Sequence, residues 1–403
     1  MDRMITYIAQ LFPAAQHRRI FLVGGVVRDL VLGREPVDID LAAALTAEEF
    51  IAAGFRSVAG KTTAPIWFRY DPACGTIEVT PLRDVAELSA DLRQRDFTIN
   101  AMAMTLDGEI IDPLAGRADL VQRRLRACSS GTFSADPVRI FRAFRFEAHG
   151  WEIQADAEQQ IAEQDWSLAW AAIPMERFSR EMLKALAAKE PERFFRRMLE
   201  LGIGRLYLPE LFRMPAVPAG PLIHHPEGDL FTHSVQVLQR VATVSADPLT
   251  RFCALFHDLG KLATSPALYP KHHGHDQAGF QMAHEFCQRL RVPAHYGKAL
   301  SWISRLHGTF NLWDSLRDAT KLKVADQAIK AGIVDILPLV AAADKPGGKE
   351  PGEWRVVVAM ARMTARELGI GLDSLEQRPP SKRAGFIFQA RLRYLGALLR
   401  AKD

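Results

Sequence analysis

Between Leu22 and Ala42 the chain reads LVGGVVRDLVLGREPVDIDLA, and no other stretch constrains the fold as much. An apolar run over Ile20–Val23 ends on two glycines and passes directly into a helical pattern, Val26–Leu32; a second run, Asp38–Ala43, follows. Glycines between a strand and a helix let backbone N–H groups approach a ligand closely, with the helix's positive end behind them. Arg28 and Asp29 fall in that helix's first turn. Alone, such a segment is more often only a tight turn. Asp38-Ile39-Asp40 narrows the reading, because residues two apart on a strand face one side and both carboxylates converge. Paired carboxylates repel unless a cation lies between them, and Mg²⁺ takes one or two carboxylates together with substrate phosphates. A lone DxD is as readily a solvated strand end, but here it follows Gly25 by only thirteen residues. Glu78, in TIEVTP, offers a third carboxylate.

The rest of the first 130 residues keeps alternating strand and helix patterns. Ala47–Ala53 reads as helix, and Pro65–Tyr70 and Thr76–Pro81 as strands; Ile99–Thr105 and Glu109–Asp112 read as a strand pair around Asp107-Gly108. From Pro137 onward the period turns helical over Val138–His149, Ala155–Gln164, Pro174–Ala187 and Glu190–Gly202. Ten of the twelve histidines lie at or after His224, and MPAVPAGPL (Met214–Leu222) precedes them with three prolines. That segment reads as a linker and sets a boundary near residue 220. The expected organisation is an α+β head with a mixed sheet (1–136), a helical neck and body (137–220) and an all-helical domain with its tail (221–403).

Composition excludes several classes. With 48% hydrophobic residues the chain is not a disordered polymer. No apolar run reaches the ~18–20 residues of a membrane span, and the first residues lack a signal-peptide pattern. Cys74, Cys128, Cys253 and Cys287 are widely spaced, which argues against a disulfide scaffold or a Cys-based zinc site and suits a reducing cytoplasm. The net charge is only +4, so a nucleic-acid partner would be met by local arginine patches; Arg117, Arg123, Arg124 and Arg126 are candidates, though a solvated basic helix would look the same.

Leu22–Asp40, QRDFTINAMAM (Gln94–Met104), EIIDPLAGRADL (Glu109–Leu120) and DPVRIFRAFRF (Asp136–Phe146) resemble, in order and spacing, the class II tRNA nucleotidyltransferases. That family comprises the CCA-adding enzymes and their bacterial poly(A) polymerase relatives, and the resemblance covers roughly the first 210 residues. It implies a polymerase β-like head in which Asp38 and Asp40, with Glu78 nearby, hold Mg²⁺ for transfer of a nucleotide to a tRNA 3′-hydroxyl. It also implies that Gly24, Gly25 and Arg28 hold the triphosphate, and that Arg95, Asp96 and Asn100 contact the ribose.

Asp136 and Arg139 are three residues apart near a helix start, where side chains share a face. A carboxylate only accepts hydrogen bonds and a guanidinium only donates. Cytosine and adenine present an amino donor beside a ring-nitrogen acceptor; uracil and guanine present the reverse. An Asp–Arg pair therefore accepts C or A and rejects U or G, and the resemblance implies that role here. Arg142 and Arg145 continue the stripe, either bracing this pair or meeting phosphate, or forming a solvated basic face. Ala135 stands where the family usually has an acidic residue. Phe141, Phe144 and Phe146 are expected in the core, and Glu176, Arg177 and Glu181 as supports or surface ion pairs.

Only seventeen positions separate Glu78 from Arg95, and there is no glycine between Gly75 and Gly108. Full CCA-adding relatives usually carry a longer, Gly- and Ser-rich loop here, associated with the switch from C to the final A; relatives that stop after two C residues lack it. Reshaping one pocket from C to A needs a mobile element that biases two states. The expectation is CC addition from CTP, a separate protein adding A; the alternatives are a trimmed loop with full CCA addition from CTP and ATP, and a poly(A) polymerase.

A second constellation lies in the histidine-rich half. FTHSVQVLQ carries His233, CALFHDLGK carries His257-Asp258 and Lys261, KHHGHDQAG carries His272, His273 and His275, RLHGTF carries His307, and AAADKPGG carries Asp344. Imidazoles with carboxylates suit Ni²⁺, Mn²⁺, Co²⁺ or Zn²⁺ better than Mg²⁺. With His233 lying 24 residues before His257, the pattern resembles the HD phosphohydrolase superfamily. The resemblance implies His233, His257, Asp258 and Asp344 as ligands, His275 and His307 as a second position, and a metal-bound hydroxide attacking phosphate esters. The alternative is a domain that keeps its ligands but serves as a tRNA scaffold. His224, His225 and His284 are given no role.

Overall fold

The structure is a computed structural model describing residues 2–36, 38–58, 66–72 and 75–400, with side chains for all of these except 2, 3 and 400. Pro65, where one strand was expected to begin, and Cys74 lie outside the described residues. The chain forms two compact units, Met1–Ala171 and Ala172–Asp403. The expected mixed-sheet head followed by helical regions is the architecture adopted.

The first unit is built on a sheet that, among the described residues, has seven strands: β1 (Ile20–Val23), β2 (Ile39–Ala43), β3 (Arg56–Val58), β4 (Ile66–Asp71), β5 (Gly75–Pro81), β6 (Ala103–Thr105) and β7 (Ile110–Ile111). Their order is β3-β4-β5-β2-β1-β6-β7. β1 is buried throughout, as its uninterrupted apolar sequence requires, and pairs antiparallel with both β2 and β6. β2 and β5 are parallel, in a register that sets Asp40 beside Glu78. Gly24, at φ +78°, makes the turn from β1 into α1 (Gly25–Val31).

One local expectation is corrected. Ile99 does not begin a strand: Thr98–Asn100 is a 3₁₀ turn and the strand starts at Ala103. The cause is close packing: the carbonyl of Thr98 faces Gly116, where any Cβ would stand 2.2 Å from it. The stretch from Leu82 to Gln94 is a 3₁₀ turn followed by α2 (Leu88–Arg93). Leu82, Leu88 and Leu92 are buried in one cluster with Phe21, Val23, Ala42, Ala101 and Ala103 of the sheet region. α3 (Val138–Ala148) buries Phe141, Phe144 and Phe146, as expected.

The second unit is helical. α4 (Met175–Leu186) buries Glu181, while Glu176 is exposed. α5 (Leu230–Ala242), α6 (Pro248–Phe256), α7 (His275–Arg289), α8 (Ala294–Phe310) and α9 (Ile336–Asp344) frame one polar centre. Local chemistry starts these helices: Asp229 caps α5 by accepting from the Thr232 N–H, and Asp247 caps α6 with Pro248 in its first turn. The segment Met214–Leu222, expected as a linker, is packed. Met214, Val217 and Ala219 are buried, and the carbonyls of Pro218 and Ala219 accept from His272 and Lys261. Its prolines shape a tight packed turn. Among the described residues, no helix is long and apolar enough to cross a membrane.

Candidate functional site

In the first unit the acidic residues gather at the sheet. Asp40 is half-buried on β2, Glu78 lies beside it in register on β5, and Asp38 is exposed just before β2. Burial pushes the Asp40 carboxyl up, the charges of Glu78 and Asp38 push the same way, and Arg95 and Arg142 oppose them. This cluster of like charge is the environment a cation relieves.

Gly24 sits against this group. A Cβ there would lie 2.7 Å from Arg95 Nη1 and 3.7 Å from Asp40 Oδ2. The Gly24 N–H donates to the Met102 carbonyl at 3.2 Å, so this glycine supplies the turn and the clearance, and its N–H is spent on the fold. Gly25 opens α1, and Arg28 on that helix reaches Asn100, Nη1 donating to Oδ1 at 2.8 Å. Asn100 Nδ2 donates to Asp96 Oδ1 at 3.0 Å, and Arg142 Nε lies 2.8 Å from Asp96 Oδ2. Burial pushes the Asp96 carboxyl up, but Arg142, Asn100 and the Phe97 N–H outweigh it and hold it below the usual range. Arg28, Asn100, Asp96 and Arg142 thus form one chain of contacts across residues far apart in sequence. Arg95 also pairs with Asp91 at 3.0 Å.

Asp136 and Arg139 are placed differently from two residues on one helix face. Asp136 is extended, just before α3, and accepts from the Val138 N–H at 3.3 Å. Arg139 lies on α3, its guanidinium donating to the carbonyls of Gln94 (2.8 Å), Thr132 (3.1 Å) and Arg95 (3.4 Å). Arg145 lies over the Phe146 ring, 4.5 Å from its centroid, which makes it a packing as well as a charged residue. Arg126, a candidate RNA contact, is tied to Asp119 at 2.9 Å and to the Leu114 carbonyl.

The second unit draws its predicted ligands together. His233 comes from α5, His257 and Asp258 from the end of α6, His275 from the start of α7, His307 from α8 and Asp344 from the end of α9. One carboxylate organises them: Asp258 Oδ2 lies 3.2 Å from His257 Nε2 and 3.6 Å from His233 Nε2, while Oδ1 lies 3.3 Å from His275 Nε2 and 3.4 Å from His307 Nε2. Asp344 Oδ1 is 3.0 Å from His233 Nε2 and 3.3 Å from His257 Nε2. These atoms converge without hydrogen-bond alignment: Nε2 of His233, Nε2 of His257 and Oδ1 of Asp258 are buried and lack a hydrogen-bond partner among the described residues. Orphaned donor atoms aimed at a common centre fit a metal.

The opposite ring nitrogens fix the tautomers. Nδ1 of His257 faces the Ala254 carbonyl (2.8 Å), that of His275 the His272 carbonyl (2.7 Å), and that of His307 the Ile303 and Ser304 carbonyls (3.1 Å). Each must carry its proton on Nδ1, leaving Nε2 for a ligand. Burial pulls the His257 imidazole down, but Asp258 and Asp344 drive it up to about 10; burial pushes both carboxyls up, yet Lys261 with the imidazoles holds Asp258, and the imidazoles hold Asp344, well below the usual range. Lys261 Nζ, 2.6 Å from Asp258 Oδ2, offsets that carboxylate's charge.

Sequence reasoning missed Glu227 and His225. Glu227 Oε1 lies 2.6 Å from His233 Nδ1 and 3.0 Å from His225 Nδ1. The only available signal was the spacing in HHPEGDLFTH, which has no strand or helix period.

Family models match three parts of the chain: the poly A polymerase head domain at residues 20–65 and 68–126, a probable RNA and SrmB-binding site of polymerase A at 152–214, and the HD domain at 230–338. The multifunctional CCA protein of Methylococcus capsulatus is 36% identical over 329 residues, covering 77% of this chain and 76% of the relative. The multifunctional CCA protein of Neisseria gonorrhoeae is 35% identical over 320 residues, covering 75% and 77%. The solved CCA-adding enzyme of Bacillus stearothermophilus, in complex with CTP, shares the fold at TM-score 0.64 and 24% identity, covering 99% of this chain and 97% of that one. The Thermotoga maritima CCA-adding enzyme complexed with tRNA does so at TM-score 0.63 and 19% identity, covering 100% and 95%.

Proposed function

The chain belongs to the multifunctional CCA protein family of class II tRNA nucleotidyltransferases, and from that membership we propose that it adds C residues from CTP to tRNA 3′ ends without a nucleic-acid template. The observation that carries this is the register of Asp40 beside Glu78, next to the Arg28–Asn100–Asp96–Arg142 chain. Asp38 and Asp40 would hold Mg²⁺, with Glu78 adding negative charge. A divalent ion there lowers the pKa of the attacking hydroxyl and offsets triphosphate charge. Arg28, Arg95, Asp96 and Asn100 bind the triphosphate and ribose, and Asp136 with Arg139 selects the base. We assign nucleotide addition to residues 1–136, base selection and tRNA contact to 137–220, and a second activity to 221–403. Transfer RNA would be met through basic side chains on phosphate, because every tRNA must be accepted. Such a substrate places the enzyme in the cytoplasm.

We read the enzyme as CC-adding. The segment that would hold a flexible loop is short and anchored through Leu88 and Leu92. The turn after α2 supplies the Gln94 and Arg95 carbonyls that clamp Arg139. An anchored clamp favours one base. A separate A-adding enzyme would then complete the tail. Incubating tailless tRNA with CTP and ATP, separately and together, tests this: the expected product ends in CC, and a product ending in CCA overturns the reading.

We read the second unit as a phosphodiesterase or phosphatase that uses Ni²⁺, Mn²⁺, Co²⁺ or Zn²⁺. Its support is the convergence of four imidazole Nε2 atoms on the two oxygens of Asp258. Metal-dependent hydrolysis of bis-p-nitrophenyl phosphate is the expected result; inactivity with every one of these metals removes the reading.

A further inference from the structure

All four histidines around Asp258 need Nδ1 protonated, but they achieve it differently. His257, His275 and His307 donate to main-chain carbonyls, whereas His233 faces the carboxylate of Glu227 at 2.6 Å. A carboxylate acceptor makes the shorter and stronger bond and raises the basicity of the opposite nitrogen. The local chain is shaped to deliver it. Gly228, at φ +88°, turns the backbone between Glu227 and the Asp229 cap of α5, so that Glu227 reaches a residue one turn inside the helix. His225 approaches the same oxygen at 3.0 Å, and its ring stands edge-on to His233 with centroids 4.9 Å apart. His225 is itself seated on Gly220, where a Cβ would lie 2.3 Å from its Cδ2. His233 is 1% exposed, so water does not compete for its Nδ1 proton.

We propose that Glu227, held in place by His225, is a positioning residue that fixes the His233 ring and strengthens its Nε2 as a metal ligand. The proposal rests on the reading of this centre as a metal site. His233 is then the one imidazole ligand whose donor strength is set by a side chain, and so the one that substitution can tune without moving the main chain.

The test is calorimetric titration of Ni²⁺ into the metal-free full chain, with circular dichroism confirming the fold of each variant. Glu227→Ala is expected to weaken binding by about 10–100-fold. Glu227→Gln, whose amide oxygen can still accept from Nδ1–H, is expected to lose less than about tenfold. Wild-type affinity in Glu227→Ala overturns the proposal while leaving the metal site standing; a wild type that binds no divalent ion overturns both. Should Glu227→Ala not fold, Glu227→Gln decides by NMR of the ¹⁵N-histidine-labelled, Zn²⁺-loaded chain. The His233 Nδ1 proton is expected far downfield in the wild type and upfield of that position in the variant. An unmoved resonance overturns the proposal.

Discussion

Arg139 donates through Nη2 to the carbonyl of Gln94 at 2.8 Å, tying α3 to the end of α2. Two further carbonyls, of Thr132 and Arg95, receive Nη1. A guanidinium has five N–H groups, so three spent on the main chain leave two to face a base. Lysine carries the charge but not the planar fork. Arg139→Lys is therefore expected to lose about 1–3 kcal/mol of base discrimination, by analogy with bidentate base readout. Competition of UTP against CTP in single-turnover extension measures it. Undiminished preference for CTP would remove Arg139 from base selection.

Asp40 is crowded by burial and by the charges of Glu78 and Asp38. Neutralising it removes that repulsion and, on the proposed reading, a Mg²⁺ ligand. Asp40→Asn is expected to abolish cytidylate incorporation and, without Mg²⁺, to melt at a higher temperature than the wild type. Added Mg²⁺ should raise the melting temperature of the wild type more than that of the variant. Calorimetric scans with and without Mg²⁺ check both signs.

The strand–glycine–helix–strand segment was legible from its apolar runs and glycines, and Asp40 does lie on β2; Asp38, expected on the same strand, lies just before it, so strand periodicity does not pair the two. The histidines of the second unit were legible from their spacing to Asp258. What was hidden depended on the third dimension. Arg139 reads as a helix-surface arginine until Gln94, some 45 residues earlier, is folded against it. Met214–Leu222 reads as a linker because proline density does not reveal that Ala219 is fully buried beneath Lys261. Ile99 has strand propensity, but the approach of Gly116 to Thr98 imposes a turn. Glu227 was invisible because its partner, His233, lies across a turn with no regular period.

Asp96 gives a prediction in pH. Burial alone would raise its pKa; Arg142, Asn100 and the Phe97 N–H reverse this and lower it from 3.8. A carboxyl depressed in the folded state binds more protons when unfolded. Its contribution is therefore complete above the unfolded pKa and is lost as pH falls through the folded value. Asp96→Asn should be destabilised relative to the wild type at neutral pH, and the gap should narrow below about pH 4. Urea melts from pH 7 down to pH 3 measure it. A gap that stays constant across that range would show that the Arg142 pairing contributes nothing.

Gly260 separates the HD motif from α7 by the width of a missing side chain. A Cβ there would lie 1.9 Å from the His275 carbonyl oxygen and 2.4 Å from the Gly279 nitrogen, both rigid main-chain atoms. Neither can swing aside as a side chain would, so α7 must shift. Since α7 begins at His275, whose Nε2 stands 3.3 Å from Asp258 Oδ1, the shift moves one candidate ligand away from the carboxylate that organises the rest. Overpacking of this kind costs about 1–3 kcal/mol, occasionally more. Gly260→Ala is expected to lose that much stability and to bind Ni²⁺ more weakly than the wild type, whereas Gly332→Ala, with nothing within 4 Å of its Cβ but φ at +78°, should show only the backbone cost and wild-type metal affinity. Equal metal affinity in both variants would mean that the position of His275 does not matter to the centre.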